Sequence, residues 1–167
     1  MANNEKMVEK IETKETVKAK PVNVLDMLMG ADIGKISAPY KDMEITRLSE
    51  VFGAPFVVRC TALSPEKYEE VQSIALDING KNVDMDVNTF QLFTVIEGVE
   101  AVYTDDKGNV KSNGLLLKNM ELISKFDVVT PVELCKKLFL SGEIQNLYST
   151  ISSLSGFNDE AVKELKN

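Results

Sequence analysis

Residues 90–102 read FQLFTVIEGVEAV. Wound as a helix, this stretch is apolar on most sides, with only Gln91, Thr94, Glu97 and Glu100 to meet water. A helix of that kind is usually the buried one around which others pack. Asn88 and Gln91, just ahead, have the spacing of a capping box. The stretch therefore predicts a central helix, and with it a mainly α fold.

Downstream, residues 103–114 break the pattern. Gly108 and Gly114 interrupt a polar run that reads as a loop or an insertion between helices. Residues 115–126 then predict another helix. Thr130-Pro131-Val132-Glu133 is a strong start signal. Threonine can accept from an exposed backbone N–H, proline lacks a donor that would be orphaned anyway, and glutamate can reach back. That helix should run to about Phe139. Ser141 opens the next, SGEIQNLYSTISSLSGF, whose apolar residues Ile144, Leu147, Tyr148, Ile151 and Leu154 draw one stripe. Gly156 should close it. Asn158 can cap a last short helix, DEAVKELK, with acids first and lysines last, as the helix dipole prefers.

Upstream, Ser64 with Pro65 caps a helix whose inner stripe is Tyr68, Val71, Ile74, Ala75 and Ile78, with Asn79-Gly80 as its stop. Before it, the β-prone runs 43–48 and 56–63 flank a turn holding Gly53 and Pro55. An antiparallel pair is the simplest reading, with one helical turn at residues 49–52 as the alternative. Asn23 can cap a short helix over Val24, Leu25, Leu28 and Met29 that stops at Gly30. The expectation is a compact helical domain over residues 21–167, with one small antiparallel β element near its N-terminal third. Residues 1–20 hold five lysines and four glutamates. Lys6, Lys10, Lys14 and Lys18 would repel along one helix face, so a solvated, mobile arm is expected there.

Composition narrows the chemistry. The chain has 167 residues, 44% of them hydrophobic, and a net charge of -7. Its acidic balance argues against nucleic acid and anionic lipid as partners. No apolar run approaches a membrane span, and the first residues lack the apolar core of a signal peptide, so the cytoplasm is the expected location. Cys60 and Cys135 sit in apolar patterns and read as buried, reduced thiols. Histidine is absent, which removes the commonest general base and transition-metal ligand. Asp84 and Asp86, two apart, read as solvated charges rather than a magnesium site. No catalytic, cofactor-binding or metal-binding residue is expected, and no cofactor.

A family resemblance goes further. MEITRLSEVFGAPFVVRCTALSPEKYEEVQ resembles the front of the phage tail assembly chaperones of the PBSX, or XkdN-like, type, from phages and phage-like particles of Gram-positive bacteria. VNTFQLFTVIEGV, the block from Val129 to Asn167, and DMLMGADIGKI continue the match in order and spacing. The resemblance implies a non-catalytic protein that coats the tape measure protein, supports polymerisation of tail tube protein around it, and is absent from the mature particle. In related systems a ribosomal frameshift yields a longer product that recruits tube subunits. The present chain would then correspond to the unextended form. The resemblance places no binding residue, and self-association stays open. The alternative is a structural tail component retained in the particle.

Burying the five side chains of the 141–157 stripe would contribute about 7–15 kcal/mol, comparable with a whole domain's net stability. The stripe is therefore expected to pack mainly inward. The C-terminal edge is the candidate partner surface: Tyr148, Ile151, Leu154, Phe157, Val162 and Leu165, uncovered when the last short helix lifts away.

Overall fold

The computed structural model describes residues 23–79 and 81–164. The charged arm expected over residues 1–20, and Leu165, lie outside the described residues. Residues up to Ile36 and those from Ser37 onward are two separate units.

The first unit holds α1 (Val24–Met29) and a 3-10 turn (Ile33–Lys35). As its sequence suggests, the Asn23 side chain accepts from the Leu25 N–H at 3.0 Å, and Gly30 ends the helix. No residue of α1 is buried.

The second unit begins with β1 (Tyr40–Glu44), α2 (Thr46–Phe52) and β2 (Val57–Thr61). The antiparallel pairing is as expected, Met43 opposite Val58. The β-prone run 43–48, however, is strand only to Glu44 and helix from Thr46. Ser49 fixes this crossover, donating its hydroxyl to Glu44 at 2.7 Å and accepting the Phe56 N–H at 2.8 Å. Next come α3 (Pro65–Ala75), β3 (Leu76–Asn79), β4 (Asn82–Met85) and α4 (Val87–Gly98). They are followed by β5 (Val99–Thr104), β6 (Val110–Leu115), α5 (Met120–Lys125), α6 (Pro131–Leu138) and α7 (Ser141–Leu154).

The mainly α expectation is wrong. Of the described structure, 48% is helical and 21% is strand. The strands form a four-stranded antiparallel sheet, β1-β2-β5-β6, and a separate two-stranded sheet, β3-β4. The decisive error lies in FQLFTVIEGVEAV. Its first half is the buried helix α4. At Gly98 the chain leaves the helix, and Val99–Thr104 pairs with both β2 and β6. Val99, Val102, Tyr103 and Thr104 are β-formers, and Val99 stays in the core while the ladder satisfies the backbone of the residues beyond it. Residues 103–114 are thus mostly hairpin rather than a loop. Only their middle turns, where the Asp105 side chain accepts from Lys107 and Asn109 N–H groups at 3.0 and 2.8 Å.

Four other boundaries move. α3 ends at Ala75 and not at Asn79-Gly80, because Leu76–Asn79 pairs with Asn82–Met85 as strand. Asp86, not Asn88, caps α4, accepting from the N–H groups of Asn88 and Thr89. The helix expected over 115–126 shortens to α5, capped by Asn119, because Leu116 and Leu117 dip into the core through a turn closed by the Asn119 N–H on the Leu116 carbonyl. No helix follows Leu154 among the described residues. Asn158 turns back instead, donating to the Ser153 carbonyl at 2.7 Å while its own oxygen accepts the Glu160 N–H at 3.0 Å. A short charged segment gains more from that local turn than from a helix with little to bury.

The start signals of α3 and α6 hold. Ser64 accepts from the Lys67 N–H at 3.2 Å. Thr130 accepts from Glu133 N–H at 3.2 Å, and the Glu133 carboxylate accepts from Val129 and Thr130 N–H groups at 2.7 and 3.2 Å.

One core joins sheet and helices. Val58, Cys60 and Val99 from the sheet meet Val95 and Ile96 of α4, Leu134 and Cys135 of α6, and Leu147 and Ile151 of α7. A Cβ placed on Gly98 would lie 2.7 Å from Ile151 Cδ1 and 3.0 Å from Cγ2, so glycine is what lets α4 and α7 close. Arg47 of α2 ties the sheet to the α6–α7 junction. Its guanidinium donates to both Glu143 oxygens at 2.9 Å and to the Leu138 carbonyl at 2.8 Å. Glu143 also accepts the Leu140 N–H at 2.8 Å, closing the start of α7. On the sheet's other face Arg59 donates to Asp42 at 2.7 and 3.0 Å and to the Val110 carbonyl at 3.2 Å, beneath the Tyr40 ring.

Gly98→Ala should destabilise the fold by about 1–3 kcal/mol through overpacking against Ile151. Adding Ile151→Val, which removes the Cδ1 methyl, should recover part of that loss in urea denaturation; strictly additive costs would contradict the contact. Hydrogen bonds from Arg47 hold the Glu143 carboxyl below its ordinary range, and those from Arg59 do the same for Asp42, in each case against the opposing effect of burial. Both carboxyls are depressed in the folded chain, so their stabilisation is complete above the ordinary carboxylate range, near pH 4. It is lost as the pH falls through their folded values. The urea midpoint should therefore drop between pH 7 and pH 3, and drop less for Glu143→Gln.

Candidate functional site

The described C-terminal residues expected to meet a partner differ widely in exposure. The α7 stripe faces inward: Leu147 and Ile151 are buried, and Ile144, Tyr148 and Leu154 pack partly buried against the same core. Tyr148 lies edge-on to Phe90, with ring centroids 6.1 Å apart. Phe90 in turn meets Tyr68 edge-on at 5.5 Å. After α7 the backbone passes through Gly156 at φ 92°, with the Phe157 N–H bonded to the Ser152 carbonyl, and the Phe157 ring stacks on Tyr68 at 4.9 Å. Phe157 is still 59% exposed and Val162 is 89% exposed. Ile151 is fully buried between helices and is not available to a partner in the folded state.

The larger bare surface lies elsewhere, on the β3–β4 hairpin. Leu76 stands directly opposite Met85, and Ile78 opposite Val83. Facing pairs two residues apart share one side of a strand pair, so these four apolar side chains make a single face. None of them is buried, and Ile78 is 72% exposed. Ile74 at the end of α3 and Val87 at the start of α4 are exposed at its base. The register sets Asp77 directly opposite Asp84 on the other face, a like-charge pair that weakens the ladder. A lone two-stranded hairpin is marginal in water. This one is anchored at its base, where the Asp86 N–H donates to the Ala75 carbonyl at 2.9 Å.

The signal for this hairpin stands in the sequence. LDINGKNVDMD alternates apolar and polar residues on both sides of Asn-Gly, a hairpin pattern. Extending the α3 stripe through Ile78 hides it.

A groove of about 550 Å³ runs between the first turn of α4 and the α6–α7 junction, with Leu92, Phe139 and Ile144 beside Asp86 and Lys136. In it the Thr89 hydroxyl donates to Asp86 at 2.7 Å, a contact that belongs to the start of α4. Cys60 and Cys135 are buried and unbonded, and burial pushes both thiols up to about 12. Asp86 is engaged as a helix cap, and among the described residues no three potential metal ligands cluster. No described helix is long and apolar enough to cross a membrane. The arrangement offers apolar contact.

The fold is similar to the crystal structure of the protein yqbn, with a TM-score of 0.53 at 18% identity, covering 74% of this chain and 89% of that one. No curated protein matches the chain. A model of the phage XkdN-like tail assembly chaperone proteins matches residues 25–166, nearly the whole described structure, and the chain belongs to that family.

Proposed function

We propose that this protein is a non-catalytic tail assembly chaperone that holds the tape measure protein through the apolar face of the β3–β4 hairpin. The observation that carries the reading is four directly paired, exposed apolar side chains on a weakly held hairpin, in a chain of this family. A long helical client offers apolar residues at helical spacing, and a flat apolar strand pair can receive one stripe of them. Because the face is small, each contact is weak, which suits a coat that must leave when tube subunits polymerise. The net charge of -7 per copy keeps loaded copies apart in solution. Phe157 and Val162 are the accessible remainder of the C-terminal candidates and serve as a secondary contact. In this reading the protein acts in the host cytoplasm, works alongside the tail tube protein and is absent from the finished particle.

Coexpression with the tape measure protein tests the reading. The client should move to the soluble fraction with the native chain. It should stay insoluble with the double variant Ile78→Ser and Val83→Ser, whose exposed positions should change stability by only about 0.5 kcal/mol each. A client insoluble in both cases, or equally soluble with the variant, contradicts the assignment of the face. Stoichiometric presence of the protein in purified particles would favour a retained tail component.

A further inference from the structure

α3 is held to the domain by a core of its own. It buries only Val71 and Ala75, and these join Phe90 in a small cluster apart from the main one, edged by Leu63, Tyr68, Phe93 and Tyr148. α3 packs chiefly on α4, and its ion pair to that helix, Lys67 to Glu97, is long at 3.8 Å. The β3–β4 hairpin follows α3 without a break, and the bond from Asp86 N–H to the Ala75 carbonyl ties its base to the last residue of the helix. Helix and hairpin therefore form one mechanical piece.

The C-terminal segment fastens this piece from outside. The Ser155 hydroxyl accepts the Leu63 N–H at 3.0 Å, at the entry to α3, and donates to the Ile151 carbonyl of α7 at 2.7 Å. Two residues on, the Phe157 ring stacks on Tyr68, which also meets Phe90 of α4. Tyr68 is thus held between α4 and the C-terminal segment.

We propose that α3 and the β3–β4 hairpin open from the domain as one flap, and that Ser155 and Phe157 are the clasp that keeps it shut. A cluster of three buried side chains gives way more readily than the main core, so the elements it holds open first. The flap carries the hairpin face, and the clasp therefore sets how firmly that face is presented. This consequence rests on the assignment of the face to the client. A client that binds the closed form better must, by linkage, also hold the flap closed.

Hydrogen exchange of the pure full-length chain, read by mass spectrometry of its fragments, tests the proposal. In the native chain the amides of α3 and the hairpin should be less protected than those of β2 and α6. Phe157→Ala and Ser155→Ala should each speed exchange within α3 by about two- to tenfold, the factor that one aromatic pair or one hydrogen bond is worth. Both should leave β5 and α6 unchanged. Phe157→Tyr, which keeps the ring, should exchange as the native chain does. Phe157 is more than half exposed, so the domain folds without it. Native α3 as well protected as α6, variants that leave α3 unchanged or loosen the whole domain alike, or a tyrosine variant no better than alanine would each overturn the proposal. The measurement involves no client, so its failure leaves the assignment of the hairpin face standing.

Discussion

The close approach of α4 to α7 is the constraint on which the rest of the domain depends. It is possible because residue 98 has no side chain where Ile151 sits. α4 packs against α3, α6, α7 and β2, so its placement fixes three helices and the central strand together. The same glycine ends the helix. The next residue begins β5, which completes the sheet beside β2. A single position therefore sets how tightly the helices close and where helix gives way to strand.

Charged groups hold the parts that the core does not reach. Arg47 and Glu143 lock the β1–β2 crossover to the start of α7, and Arg59 with Asp42 pins the outer face of the sheet. Glu97, nearly buried on α4, lies between Lys118 and, at 3.8 Å, Lys67 of α3. These contacts position elements in pairs and add modestly to stability. Among the described residues the β3–β4 hairpin has no such tie to the core, and its like-charged back face loosens it further. The molecule thus combines a rigid centre with a weakly held apolar projection, the division expected where a partner's surface must complete an element.

Capping chemistry is the part of the fold most legible in the sequence. Asn23, Ser64-Pro65 and Thr130-Pro131 with Glu133 all act as their residue types require, because a cap depends on a few neighbouring groups. The extent of each element was less readable. Residues 90–102 are apolar throughout, and such a run does not state its own period; β2 and β6, distant in sequence, decide where it becomes strand. Tyr103 and Val110 likewise read as loop until each is seen paired across the hairpin. At the candidate surface, the Ile78 side chain fits a helical stripe as well as an alternating strand. The Asn-Gly step beside it, however, carries information that the periodicity does not. Asn158 shows the reverse case, a good cap residue with too little apolar surface behind it to hold a helix.

The two thiols sit in different parts of the same core, Cys60 on the central strand and Cys135 on α6, and both are closed to solvent. A thiol reagent needs the thiolate, and neither group ionises at neutral pH while it stays buried. Alkylation must therefore wait for the strand or the helix to open. The native chain carries its own pair of clocks for breathing, one in the sheet and one in the bundle, with no probe added.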